Sequence, residues 1–169
     1  MIFTTETKRL YIEPVTIFDS AFIFELLNTE GWIKFIGDRN IHTLEDATSY
    51  IQKIIDNQKS NYWVCKLKEN KTPVGIVSFI KRNYLDAPDI GFALLPAYQK
   101  NGFAFEATSH VLEGIKKIKS FDAIKAFTLY NNSSSISLLE KLGLAFEKEI
   151  QDKEERLFVY SIEISNKLD

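Results

Sequence analysis

Residues 89–107 read DIGFALLPAYQKNGFAFEA. An apolar run from Asp89 to Leu95 stops at Pro96, a polar loop follows, and Gly102 stands where a helical pattern begins. A strand that turns into a helix in this way exposes backbone N–H groups with no intrahelical partner. The helix dipole adds partial positive charge at the same end, and together they favour an anion such as phosphate. Gly102 allows close approach of a ligand to the backbone, and Lys100 can add a flexible cation at the rim. The spacing is neither the dinucleotide G-x-G-x-x-G nor a Walker P-loop. Taken alone, the stretch also reads as a strand–helix turn without a ligand.

Before this stretch, Leu10 to Pro14 alternates as a short strand. Thr16 with Asp19 and Thr43 with Asp46 each give a capping-box start. The first leads into Phe22, Ile23, Leu26 and Leu27 and the second into Ala47, Tyr50, Ile51, Ile54 and Ile55, both at helical spacing. Residues 31–42, GWIKFIGDRNIH, read as an aromatic and polar loop between those helices. Tyr62–Leu67 and Val74–Ile80 read as a hairpin around the polar turn Glu69–Pro73. After it come a helix over Gly102–Ile118, a strand over Ala123–Leu129 and a short helix over Asn132–Leu142 that Gly143 stops. Strands Leu144–Ile150 and Leu157–Ile164 close the chain around a charged turn. The order β-α-α-β-β-β-α-β-α-β-β predicts an α/β or α+β fold with a mixed sheet rather than strict doubly wound alternation.

The chain has 169 residues and seven glycines, well under the roughly 7% of average usage. No Pro/Ser/Gly-rich linker and no solenoid repeat divides it, so residues 1–169 read as one domain. The 45% apolar and 26% charged content is that of a globular chain. The single Cys65 excludes an internal disulfide or a Cys-built zinc site, and His42 and His110 lack metal-ligand spacing, so no metal is expected. The polar start MIFTTETKRLYIEP holds no signal core and no run approaches a membrane span; a cytoplasmic protein that does not engage membranes is the expectation. A net charge of −2 argues against nucleic acid as a partner.

Several blocks together resemble one family. Gln99-Lys100-Asn101-Gly102-Phe103-Ala104 is similar to the Q/R-x-x-G-x-G/A signature of the GNAT superfamily of acyl-CoA-dependent N-acyltransferases. Asn132-Ser133-Ser134-Ser135 with Leu138 to Leu144 resembles its N-x-x-S…L-E-K-L-G-F segment. KRLYIEPVTIFDSAFIFELL, residues 8–27, resembles the opening of its ribosomal-protein-alanine acetyltransferase branch. The resemblance implies a mixed, mostly antiparallel sheet of about seven strands with about four helices, splayed between the fourth and fifth strands. It also implies acetyl-CoA as co-substrate, with a primary amine of a small molecule or protein N-terminus as acceptor. A non-catalytic acyl-CoA-binding module and a different donor such as succinyl-CoA are the alternatives, and either a monomer or a homodimer fits.

By the same resemblance, backbone groups of Phe92, Ala93 and Leu94 would bond pantetheine. Gln99, Lys100, Asn101, Gly102, Phe103 and Ala104 would hold the pyrophosphate. Asn132 and Ser135 would face the sulfur end, with Lys141 on the cofactor side. Many relatives carry glycine at the position of Lys100; phosphate binding then requires that residue 100 need no positive φ.

The implied chemistry is attack of an amine on a thioester, which calls for a base and oxyanion donors. Asp89 is the candidate base, or else a turn residue ending the strand after Pro88. The position of the family's general-acid tyrosine holds Leu139, so Ser135 is the candidate donor near the thiol, or else a helix-cap serine. Tyr130 is a further candidate, or a packing residue. Trp32, Phe35 and Ile36 could wall the acceptor pocket, with Asp38, Arg39 and Asn40 as polar selectors; Trp32 and Phe35 read equally as core. His42, His110 and Cys65 read as capping or packing residues.

Overall fold

A computed structural model describes residues 3–83, 85–118 and 120–164. Its strands are β1 (Thr5–Glu6), β2 (Leu10–Pro14), β3 (Ser60–Leu67), β4 (Pro73–Ile80), β5 (Asp89–Leu94), β6 (Ala123–Leu129), β7 (Ala145–Asp152) and β8 (Glu155–Glu163). Its helices are α1 (Ser20–Leu27), α2 (Glu30–Phe35), α3 (Leu44–Asp56), α4 (Phe103–Ile118) and α5 (Ser133–Lys141). The strands form one sheet in the order β1-β2-β3-β4-β5-β6-β8-β7. Every pairing is antiparallel except β5 with β6, which is parallel.

The architecture is the mixed, mostly antiparallel one expected, with eight strands and five α-helices in place of about seven and about four. The extra strand is the two-residue β1, too short to show alternation. The extra helix is α2, inside the segment expected to be a loop: Thr29 caps it by accepting the Trp32 N–H at 3.3 Å. Residues 151–156 are likewise strand for most of their length, β7 and β8 pairing through Gln151↔Arg156 and Asp152↔Glu155. Lys153, at φ +54, turns the hairpin.

Both capping boxes form. The Thr16 N–H and hydroxyl bond Asp19 Oδ2 at 2.8 and 3.0 Å. The Thr43 N–H bonds Asp46 Oδ2 at 2.9 Å while Asp46 N–H returns to Thr43 Oγ1 at 3.1 Å. The sheet then separates two apolar clusters. On one face Leu10, Ile12, Trp63, Ile90, Val111, Ile115, Ile124 and Tyr160 pack with α4 and α5. On the other Ile23, Leu26, Trp32, Ile51, Val64 and Ile76 pack among α1, α2 and α3. Cys65 lies in the first cluster, and burial pushes its thiol up to about 12, which makes it a packing residue.

Candidate active site

The sheet opens at its parallel junction. β5 and β6 share one registered pair, Asp89↔Lys125, backed by the Lys125 N–H bond to Pro88 O at 2.9 Å. Beyond that point the strands diverge, which is the expected splay, one strand later in the count because β1 precedes it. Leu95 N–H bonds Val74 O, so the hydrogen-bonded pairs with β4 are those of Ala93, Gly91 and Asp89. The main-chain groups of Phe92 and Leu94 therefore face the opening. Ala93 differs from its expected role: its N–H and C=O are turned to Ile76 of β4, and its side chain packs toward α1–α3.

The opening leads to the loop before α4. The first intrahelical bond is Glu106 N–H to Gly102 O at 3.0 Å, which leaves the N–H groups of Phe103, Ala104 and Phe105 at the helix start without an intrahelical acceptor. Gly102 sits at φ +79 and Lys100 at φ +61. The condition set for phosphate binding, that residue 100 need no positive φ, is thus not met: Lys100 itself adopts the left-handed conformation. Such backbone turns line up N–H groups as an anion-binding concavity. Gln99 Nε2 ties the loop to Leu94 O at 3.2 Å, and Asn101 Nδ2 bonds Gln99 O at 2.9 Å.

Arg9 braces this loop from β2's side, a role the sequence did not signal. Its Nη1 donates to Asn101 O at 3.0 Å, its Nε to Glu106 Oε2 at 2.7 Å, and its guanidinium lies over the Phe103 ring. Glu106 also accepts from Thr7 Oγ1 and from the Arg9 N–H. Burial pushes Glu106 upward, but these donors outweigh it and hold the carboxyl below its ordinary value.

On α5, Asn132 is the cap: its Oδ1 accepts the Ser135 N–H at 3.2 Å, so Ser135 is the capped residue rather than the cap. Lys141 Nζ lies 4.3 Å from the centroid of Phe105, bridging α5 to the first turns of α4. Leu139 is core, 1% exposed. Tyr130 is half exposed between Arg156 and Phe158. His110 Nε2 shares a hydrogen bond with Thr5 Oγ1, and the His42 N–H bonds Asp46 Oδ2.

Asp89 lies at the closed end of the splay, 6% exposed, on the face turned to α1–α3. Arg82 holds it with Nε at 2.7 Å from Oδ1 and Nη2 at 3.3 Å from Oδ2. Burial raises its pKa, and Arg82 offsets only part of that. Of the expected acceptor residues, Trp32 is buried in the core on α2 and Phe35 is half-buried at its end, while Asp38, Arg39 and Asn40 are exposed in the following loop. Trp32 shares its buried cluster with Leu95, and Ala93 of β5 packs against it.

Residues 9–145 match the Acetyltransferase (GNAT) domain. The chain belongs to the GNAT acetyltransferase family. It is 28% identical over 149 residues to the uncharacterized N-acetyltransferase YoaA of Bacillus subtilis, covering 85% of this chain and 82% of that protein. Ribosomal-protein-S5-alanine acetyltransferase from Vibrio fischeri shares its fold with a TM-score of 0.84 at 19% identity, over 97% of this chain and 98% of the other. So does spermidine N-acetyltransferase from Vibrio cholerae, solved in complex with CoA and spermine: TM-score 0.81, 19% identity, 96% and 100% coverage. Among the described residues of this GNAT acetyltransferase, no helix is long and apolar enough to cross a membrane.

Proposed function

We propose that this chain transfers acetyl from acetyl-CoA to the primary amine of a small molecule or a protein N-terminus, by direct attack in a ternary complex. The observation that carries the reading is the splay itself, which begins right after Asp89↔Lys125, presents the Phe92 and Leu94 main chain, and ends on the N–H-lined loop at Gly102. That donor set fits a diphosphate joined to an amide-bearing arm. Coenzyme A supplies an activated acyl thioester there.

The chain's own residues then have separable tasks. Residues 99–104 hold the diphosphate through backbone N–H groups, with Lys100 and Lys141 adding charge. Phe92 and Leu94 fix the arm as an added strand would be fixed, and their N–H groups are the donors available to the oxyanion. Asp89 takes the amine proton through water, Oδ2 being the oxygen Arg82 holds less closely. The new C–N bond forms as the C–S bond breaks, and in this reading Ser135 is the hydroxyl that returns a proton toward the thiolate. Positioning both substrates in one gap supplies much of the rate.

Leu139 in the core, where many relatives carry tyrosine, favours the second reading, a binding module without turnover. Thiol release from acetyl-CoA against a panel of amines and short peptides separates the two. Turnover with any acceptor supports the transferase; tight CoA binding without turnover supports the module.

A further inference from the structure

The acceptor face of the gap carries a row of donors that the cofactor reading does not use. Tyr62 of β3 stands opposite Ser78 of β4, and Ser78 opposite Gly91 of β5. A Cβ at Gly91 would lie 2.8 Å from Ser78 Oγ, so the bare glycine lets that hydroxyl lie over β5 beside the gap. Tyr50 of α3 and Ile41 of the loop after α2 share one cluster with Tyr62. Burial and Tyr50 push the titration of Tyr62 upward, and the guanidinium groups of Arg82 and Arg39 act on it in the opposite sense. Both tyrosines pack against the cluster beneath α1–α3. In the same cluster, Trp32 Nε1 is a buried N–H with no acceptor among the described residues.

Arg39 stands apart from the other arginines. Arg9 is closed by Glu106 at 2.7 Å, Arg82 by Asp89 at 2.7 Å and Arg156 by Glu149 at 2.8 Å. Among the described residues, no carboxylate lies within 4.0 Å of Arg39. Its direction is built into the loop. Gly37 at φ +107 and Asn40 at φ +53 flank it, and the Asn40 N–H is held on Asp38 Oδ1 at 2.7 Å. Its Nη1 lies 3.7 Å from where a Cβ on Gly37 would sit, so the guanidinium folds back along the loop, within electrostatic reach of Tyr62.

A guanidinium fork beside hydroxyl donors is complementary to a planar anion. A polycationic amine needs the opposite wall, and of the carboxylates here Asp89 is closed by Arg82 while Asp38 Oδ1 is taken up by the Asn40 N–H. We propose that this wall recognises a carboxylate on the acceptor itself, with Arg39 as the ion-pairing group and the Tyr50–Tyr62 pair and Ser78 as neighbouring donors. The acceptor class is then an amino acid or short peptide whose carboxylate lies near its reactive amine. The proposal rests on the transferase reading above.

The test uses matched pairs on the full chain with acetyl-CoA: alanine against alaninamide, alanylalanine against its C-terminal amide, and spermidine as the cationic contrast. KM and kcat come from thiol release, and affinity for the CoA-loaded protein comes from calorimetry. The expected result is roughly tenfold or greater preference in KM and affinity for the free acid, the scale of one charge-assisted hydrogen bond. Arg39→Gln should erase that preference with CoA affinity unchanged; Arg39→Lys should restore part of it. Equal KM for acid and amide, or preference for spermidine, with turnover intact, overturns the carboxylate clamp and leaves the transferase standing. No turnover and no acceptor binding, with CoA still bound, overturns both.

Discussion

Gly102→Ala tests the cofactor loop through backbone conformation alone. Space is not the obstacle, since the new Cβ would meet only the tip of a flexible side chain, Arg9 Nη2, at 3.4 Å. The obstacle is φ +79, a left-handed backbone that costs an L-residue about 1–2 kcal/mol. Removing glycine's freedom from the unfolded chain returns about 0.4–1 kcal/mol. The net loss is about 1 kcal/mol if the loop holds its shape, or about 2–4 °C in Tm for a domain of this size. If the loop relaxes instead, stability is spared, but the N–H groups no longer converge. Losing one charge-assisted bond to a phosphate then weakens CoA binding by roughly tenfold or more. The two routes exchange with one another, so one of the two measurements must move. Melting curves with calorimetric CoA titration read both. Gly31→Ala is the control, because Gly31 lies in α2 without positive φ and with nothing within 4 Å of the added Cβ; it should raise Tm slightly and leave CoA affinity alone. A folded Gly102→Ala protein with wild-type Tm and wild-type CoA affinity would refute the loop assignment.

Other expectations follow from the same geometry. Lys100→Gly relieves a lysine at φ +61, so Tm should hold or rise by a few degrees while CoA affinity falls several-fold with the lost cation; a fall in Tm would contradict the strain. Glu106→Gln should cost about 1–3 kcal/mol at neutral pH, by denaturant unfolding, through weakened bonds to Thr7 and Arg9. Because burial raises the Glu106 carboxyl but its donors lower it further, its contribution is present above the ordinary value of 4.5 and lost as pH falls through its folded value. The stability gap between the two proteins should therefore narrow on acidification, and a gap independent of pH would count against it. Asp89→Asn should slow turnover while sparing CoA affinity. In the parent, kcat should fall as pH drops through the raised Asp89 value, and that acidic limb should vanish in the variant; an identical profile would remove Asp89 from the mechanism.

What could be read from the sequence divides along a physical line. The loop 99–104 and the segment from Asn132 to Gly143 act through backbone groups of contiguous residues, so their turn glycines, caps and apolar spacing are written locally. The splay could be inferred only through family resemblance, because nothing in the apolar runs of β5 or β6 says that one registered pair is all they share. α2 was missed because its cap, Thr29, lacks a capping-box partner at Trp32, and Gly31 at its second residue lowers helix propensity. Lys100 defied the conformational rule because its neighbours over-determine the turn: Gln99 is tied to Leu94 and Asn101 to both Gln99 and Arg9.

The acceptor wall lies at the opposite extreme. Tyr50, Tyr62, Ser78, Arg82 and Arg39 come from a helix, two strands and two loops, and no spacing in the chain links them. β3, β4 and β5 bring Tyr62, Ser78 and Gly91 into one row across the sheet, and Tyr50 of α3 and Ile41 of the loop after α2 share the cluster of Tyr62. In the proposed reading, the register that presents the Phe92 and Leu94 main chain to the cofactor turns Gly91 and Asp89 toward the acceptor. One strand of alternating residues divides the two substrates, so a one-residue slip of β5 against β4 would exchange the cofactor-facing and acceptor-facing sets. A Cβ at Gly91 would lie 2.8 Å from Ser78 Oγ, so the serine hydroxyl would have to turn away to admit a side chain there. Gly91→Ala should accordingly disturb the acceptor before the cofactor, raising amine KM with little change in CoA affinity. The reverse pattern would show that the division of labour along β5 is wrong.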